Sequence, residues 1–163
     1  MGRWCLLAWV APLLASAAAA AVPADFQLVA EAGPRLPNKA VRRIEVVGTQ
    51  ATFSTVNPAD RGTGTGTTTG TATLSASALQ CLYDEVVAAG FVGATQPAFN
   101  AVTDGSYAEV SVTANGQTTR VETRNAAFTP LDRVVIRLND AVPDAARLRY
   151  GAIAGAAAPP ACP

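Results

Sequence analysis

Histidine is absent from this sequence of 163 residues, and cysteine occurs only three times. Histidine is the commonest general base of enzymes and the commonest nitrogen ligand of metals, so its absence removes the usual basis of both kinds of site. The cysteines are far apart, and no pair has the Cys-x-x-Cys spacing typical of structural zinc sites. We therefore predict no catalytic residues, no metal site and no cofactor.

An excess of charge of either sign is also missing, because 12 basic residues are matched by 12 acidic ones. Proteins that bind nucleic acid usually carry a basic stripe, and proteins held at anionic membranes usually carry a polybasic cluster. The sequence has neither pattern. We therefore expect no nucleic-acid partner and, once the N-terminal segment is removed, no membrane contact.

That N-terminal segment contains the longest apolar run. A short basic start at residues 1–3 precedes an apolar stretch at 4–14 and a small-residue stretch at 15–21. This order is typical of the cleavable signal peptide of a secreted or periplasmic bacterial protein, whereas the alternative, a membrane anchor, needs about 20 apolar residues. We predict cleavage after Ala19 or Ala21, which leaves a single domain at residues 22–150 and an Ala/Pro-rich tail at 151–163.

A run of glycine and threonine at residues 61–73 could be a phosphate-binding loop, an interdomain linker or β-structure. A phosphate loop needs a helix directly after its glycines, and here threonines follow instead. A linker would leave residues 22–60 without enough apolar side chains for a core of their own. We therefore interpret residues 60–66 as a loop and Thr67–Thr73 as a strand near a sheet edge, since threonine favours strands.

Alternating apolar and polar residues predict three earlier strands, at residues 25–32, Val41–Val47 and 51–56. Residues 107–124 give the clearest pattern, because Asn115-Gly116 is the preferred dipeptide of a two-residue β-hairpin turn. That turn sets a register in which the apolar residues share one face of the hairpin. The pairs on that face are Ala108 with Thr123, Val110 with Val121, and Val112 with Thr119.

Two helices complete the predicted domain. Ser75 is a favourable N-cap for a helix at residues 76–89, whose outer face carries Glu85. A second helix is predicted to begin at the N-cap Thr129, with Asp132 in the position of a capping box. The predicted apolar residues of both helices are Leu79, Leu82, Tyr83, Val86, Leu131, Val134, Val135, Leu138 and Val142. Together these elements predict an α+β fold, in which an antiparallel sheet of about five strands is packed by two helices in the order strands, helix, hairpin, helix.

This order of elements and several short motifs resemble an uncharacterised family of exported bacterial domains, many of them lipoproteins. The motifs are the entry to the first helix at residues 70–79, Ala89-Gly90-Phe91 at its end, Thr103-Asp104, the hairpin and the final helix. The family has no assigned activity, and the lipid-attachment cysteine of many members is missing here. The layout is also similar to that of small inhibitors of thermolysin-like metalloproteases, the emfourin type, although no inhibitory motif can be matched.

Two cysteines, Cys81 and Cys162, remain after signal cleavage. The helical pattern places Cys81 on the outer face of the first helix, and a free exposed thiol is unusual in an exported protein. We therefore predict a disulfide between Cys81 and Cys162 that holds the tail against this helix. The alternative is a half-buried Cys81 and an unrelated thiol in the tail.

The second face of the predicted hairpin is polar. Glu109 and Glu122 should lie directly opposite each other, an unfavourable pair that the diagonal neighbours Arg120 and Arg124 offset. Such a face is either simply solvated or a contact surface. We name Tyr107, Arg120 and Arg124 as the candidate binding residues, because tyrosine and arginine are enriched at interface hot spots.

These observations predict an exported, non-enzymatic domain that binds an unidentified envelope or extracellular macromolecule, such as a protein partner. A secreted protease inhibitor is one alternative, for which residues 33–38 and 60–66 are the segments that could enter a protease cleft. A carboxylate-dependent hydrolase is another, but it needs two carboxylates across a cleft, and Asp84 and Glu85 are helix neighbours. A purely structural role in the envelope fits the sequence as well as binding does.

Overall fold

The computed structural model of the chain describes residues 20–34, 39–57, 67–91, 105–151 and 157–162. The predicted signal peptide up to residue 19, the Thr103-Asp104 motif and the greater part of the two candidate inhibitory segments lie outside these residues. The described part forms six strands and two helices. Their bounds are β1 Gln27–Pro34, β2 Val41–Val47, β3 Gln50–Val56, β4 Thr67–Thr73, α1 Ala76–Ala88, β5 Ser106–Ala114, β6 Gln117–Arg124 and α2 Thr129–Asp140.

The six strands form one antiparallel sheet in the order β4-β3-β2-β1-β5-β6. Strands β1 to β4 follow one another as a meander, and the β5–β6 hairpin adds to the free side of β1. The predicted α+β fold is confirmed, with one strand more than the approximate number expected. Strand β4 lies at a sheet edge, as its glycine- and threonine-rich sequence predicts.

The tip of the β5–β6 hairpin is tied to the start of β1. Asn115 and Gly116 have positive φ angles of 54° and 73°, as a type I′ turn requires. Asp25 accepts hydrogen bonds from the backbone N–H groups of Gly116 (2.6 Å) and Asn115 (2.9 Å). These two donors hold the pKa of the Asp25 carboxyl below its usual value. The predicted register of the hairpin is confirmed pair by pair.

Both helices pack on the same face of the sheet, so the core lies between one layer of helices and one layer of strands. Alternate residues of the strands point into this core, because side chains alternate between the two faces of a strand. The buried strand residues are Leu28, Ala30, Ala32, Ile44, Val46, Ala51, Phe53, Ala108, Val110, Val112, Ala114 and Val121. All nine predicted apolar helix positions are buried against them.

Helix α1 begins and ends with satisfied backbone groups. The hydroxyl of Ser75 accepts a hydrogen bond from the N–H of Ala78 (3.1 Å), which confirms Ser75 as the N-cap. At the other end Gly90 has a φ of 69°, and the N–H of Phe91 donates to the carbonyl of Val86 (3.2 Å). This left-handed C-terminal motif reverses the chain and places the fully buried Phe91 in the core.

The predicted start of α2 is wrong by one residue, because Thr129 is already helical and Phe128 occupies the N-cap position without a side-chain hydrogen bond. The capping-box role expected for Asp132 is also not seen. This carboxylate is 1% exposed and accepts a hydrogen bond from the hydroxyl of Tyr150 (2.6 Å). Tyr150 follows a short 3-10 helix at Asp144–Ala146, and its buried ring packs against the core beside α2.

Glu85, predicted on the outer face of α1, is instead 5% exposed. Its carboxylate lies 2.7 Å from the guanidinium Nε of Arg133 on α2. The amphipathic pattern identifies the side of α1 that meets the sheet, but α1 also meets α2 along a second side. The ion pair on that second side places a compensating positive charge beside the buried carboxylate where the helices adjoin.

A disulfide joins Cys81 of α1 to Cys162 of the tail, with the two Cα atoms 5.9 Å apart, as the sequence predicts. Arg137 of α2 also donates a hydrogen bond to the carbonyl of Pro160. The described tail residues 157–162 therefore lie against both helices. Neither helix of the described part is long and apolar enough to cross a bilayer.

Candidate functional site

The face of the sheet that turns away from the helices is mostly polar, and we call it the open face. The strand register aligns four charged residues in one row across β2, β1, β5 and β6. In this row Arg43 lies opposite Glu31, Glu31 opposite Glu109, and Glu109 opposite Glu122. Like charges directly opposite each other are destabilising, so three adjacent glutamates require compensating cations.

Each glutamate of the row has an arginine beside it. Arg43 lies 2.9 Å from Glu31, Arg120 lies 2.5 Å from Glu109, and Arg124 lies 2.6 Å from Glu122. The arginines of β6 thus offset the opposed Glu109–Glu122 pair, as the sequence predicts. Each carboxylate of the row is therefore paired with a guanidinium, so the row is not an uncompensated acidic patch.

Burial separates the members of this network into an inner and an outer set. The glutamate side chains are 15% exposed at Glu31, 18% at Glu109 and 14% at Glu122. Arg120 is 60% exposed and Arg124 is 31% exposed. The carboxylates therefore form a partly buried base, from which the two arginines of β6 extend toward solvent.

Tyr107 lies on the open face directly opposite Arg124, but its side chain is buried. The ring packs with Val41 and Val56 in a small second apolar cluster, and its hydroxyl donates to Glu31 (3.1 Å). The sheet thus brings all three candidate binding residues to one face. Only Arg120 and Arg124 present substantial side-chain area there, whereas Tyr107 orients the carboxylate of Glu31.

Sequence reasoning missed Glu31 and Arg43 as members of this surface. Both occupy polar positions of alternating strands, so their direction away from the core could be read from the sequence. Their place beside Glu109 depends on the pairing of β1 with β5, which no turn between neighbouring strands specifies.

Burial raises the pKa of the Glu109 carboxyl above its usual value. The hydrogen bond and positive charge of Arg120 act in the opposite direction, and the negative charges of Glu31 and Glu122 raise the pKa further. Glu109 is the central carboxylate of the row, flanked by a glutamate on each neighbouring strand.

We expect Glu109→Gln to remove a pH-dependent loss of stability. Because the pKa of Glu109 is raised on folding, the folded chain binds more protons than the unfolded chain from about pH 4.3 upward to the folded pKa. Wild-type stability should fall with rising pH across this window relative to the Gln variant. Urea unfolding of both proteins between pH 4 and pH 7 measures the difference, and parallel pH curves would contradict the assignment.

The carboxylates of the open face lie side by side on a sheet surface instead of facing each other across a cleft. Within the described ranges, no three acidic, cysteine or histidine side chains are grouped as ligands of a metal ion. Comparison of the chain with models of known protein families and with curated proteins finds no match.

Proposed function

We propose that this chain is an exported, non-enzymatic domain that binds an envelope or extracellular protein through the open face of its sheet. The observation that carries the proposal is the arrangement of Arg120 and Arg124. Among the described residues, both extend from the face of the sheet that carries no helix, and each is held by a partly buried glutamate. The proposal that the domain is exported is based on the signal-peptide pattern of residues 1–21.

Held arginines are well suited to recognition. A long flexible side chain loses conformational freedom when a partner immobilises it, and this loss weakens binding. Ion pairs with Glu109 and Glu122 restrain Arg120 and Arg124 before any partner arrives. A guanidinium in this position can receive a carboxylate or stack on an aromatic ring of the partner protein. Such groups are frequent hot spots of protein interfaces.

The test begins with capture of a partner and continues with affinities. Residues 22–163 are immobilised and exposed to envelope and culture-fluid proteins of the source cells, and the captured protein is then purified. We expect the double variant Arg120→Ala, Arg124→Ala to raise the Kd for that protein at least about 30-fold, the effect of losing about 2 kcal/mol of hot-spot energy.

A matched control removes the same charge elsewhere. The control is the double variant Arg147→Ala, Arg149→Ala. Both residues follow α2 in sequence, and Arg147 donates a hydrogen bond to the carbonyl of Asn139 on that helix. This variant should leave the Kd within about twofold of wild type, as surface changes outside an interface do. Unchanged binding by the open-face variant, or an equal loss in the control, would refute the proposal.

A further inference from the structure

The turn of the β5–β6 hairpin is made by the dipeptide Asn115-Gly116, and asparagine precedes glycine nowhere else in the chain. This dipeptide is prone to deamidation, because glycine has no side chain to obstruct the approach of its backbone nitrogen to the asparagine amide. Both residues are exposed. Apart from chain neighbours, no described atom lies within 4 Å of the position that a Cβ on Gly116 would take. Water therefore reaches both reacting groups.

Deamidation at this turn needs only water and a base from solution. The base removes the amide proton of Gly116, and the nitrogen attacks the side-chain carbonyl carbon of Asn115. A bond from that nitrogen to Cγ forms, the bond from Cγ to Nδ2 breaks, and Nδ2 takes up protons and leaves as ammonia. Water then opens the cyclic imide at one of its two carbonyls, which gives aspartate or isoaspartate. One water is consumed and one ammonia is released.

The folded turn opposes closure of the imide ring. A type I′ turn holds its first central residue at φ and ψ of about +60° and +30°, and Asn115 has a φ of 54°. This ψ directs the nitrogen of Gly116 away from the Cβ of Asn115, whereas the imide needs both atoms on the same side of the Cα–C bond. The backbone of Asn115 must therefore leave the turn conformation before the ring can close.

The carboxylate of Asp25 holds the turn closed. It accepts hydrogen bonds from the N–H of Gly116 at 2.6 Å and from the N–H of Asn115 at 2.9 Å. The first of these bonds engages the nitrogen that acts as the nucleophile, and the negative charge beside it disfavours loss of the amide proton. Opening of the turn also breaks the hydrogen bonds to Asp25. Both effects slow the reaction.

We propose that Asn115 is a site of spontaneous deamidation and that Asp25 is the residue that suppresses the reaction in the folded protein. Conversion adds a negative charge to a residue whose N–H donates to Asp25, and isoaspartate also lengthens the main chain of the two-residue turn. Both products weaken the attachment of the hairpin tip to the start of β1. The reaction involves no partner, so the proposal is independent of the binding function.

The rate of conversion in Asp25 variants tests this proposal. Wild type, Asp25→Asn and Asp25→Ala are incubated at slightly alkaline pH, and peptide mapping by mass spectrometry and chromatography measures aspartate and isoaspartate at residue 115. We expect Asp25→Ala to convert at least about fivefold faster than wild type, the net effect of one ordinary hydrogen bond. Asp25→Asn keeps an acceptor without the charge and should be intermediate. An unchanged rate in Asp25→Ala, or no conversion in any variant, would overturn the proposal.

A matched control loosens the same end of the hairpin without touching the two N–H groups. Thr118→Val keeps the shape of the side chain and removes the hydroxyl contact with Thr113 (2.9 Å) beside the turn. It should deamidate at the wild-type rate, and an acceleration equal to that of Asp25→Ala would assign the effect to general loosening of the hairpin.

Asn139 provides a reference within each protein. Its side chain is bonded to the backbone N–H and carbonyl of Leu148 at 2.8 and 2.9 Å, far from the hairpin tip. The conversion of Asn139 should be the same in all variants. A parallel rise at Asn139 and Asn115 would show that global unfolding drives the reaction, and this would contradict the role of Asp25.

Discussion

Reduction of the Cys81–Cys162 disulfide is expected to lower the free energy of unfolding by about 4 kcal/mol in the chain-entropy description of cross-links. The two cysteines are 81 residues apart, so the bond closes a long loop that runs from α1 through the β5–β6 hairpin and α2. A long closed loop restricts the unfolded chain far more than the folded one. Urea unfolding of the oxidised and reduced protein at pH 7 measures the difference.

The double variant Cys81→Ala, Cys162→Ala is the control for this prediction. Its unfolding curve should coincide with that of reduced wild type, apart from a small change in packing at Cys81, and should not respond to reductant. Coincident curves for oxidised and reduced wild type would show that the bond adds nothing to stability. A loss in the variant much greater than in reduced wild type would assign the effect to packing at Cys81 instead.

Tyr150→Ala is the substitution with the second large expected effect, a loss of about 4 kcal/mol. The ring is buried at the end of the core, and its hydroxyl is the hydrogen-bond donor to the buried Asp132. Tyr150→Phe keeps the ring and removes only the hydroxyl, so it should cost about 2 kcal/mol, because a buried carboxylate then loses a donor. Thermal and urea unfolding separate the two contributions, and equal losses would show that the ring contributes nothing.

Tyr150 also makes the stability of the protein depend on pH in alkaline solution. Burial raises the pKa of Tyr150 above its ordinary value of 10.0, and the hydrogen bond and negative charge of Asp132 raise it further. The unfolded tyrosine loses its proton from about pH 10 upward while the folded one retains it. The contribution of Tyr150 to the free energy of unfolding is therefore fully present below pH 10. Above pH 10 it decreases by about 1.4 kcal/mol per pH unit. Tyr150→Phe should lack this part of the decline between pH 10 and pH 11.

The parts of the fold that local chemistry determines could be predicted from the sequence. Asn115-Gly116 specifies a turn, the turn specifies a register, and the register places Arg120 and Arg124 beside the opposed glutamates. Ser75 and Gly90 mark the ends of α1 in the same way. The disulfide could be predicted from the cysteine count together with the predicted export, since only one pairing of Cys81 and Cys162 is possible once the signal peptide is removed.

The parts that depend on long-range pairing could not be predicted. Glu31 and Tyr107 are 76 residues apart in sequence, and only the pairing of β1 with β5 brings them together. The local sequence predicts a capping role for Asp132, but its carboxylate accepts a hydrogen bond from the distant Tyr150 instead. Tyr107 was expected to contact a partner, and the second apolar cluster that buries it involves residues of three different strands.

The central position of β1 has a consequence for the rate at which this domain folds. The β1–β4 meander and the β5–β6 hairpin each pair strands that follow one another in sequence, but joining them requires closure of the long loop that includes α1. Pairing of this non-local kind is slow, and we expect folding in roughly milliseconds to seconds. The Asp25 carboxylate accepts a hydrogen bond from the N–H of Gly116, 91 residues away in sequence, and so connects the meander to the turn of the hairpin. We therefore expect the pairing of β1 with β5 to limit the folding rate, and the two hydrogen bonds of the Asp25 carboxylate to favour the correct register of the hairpin.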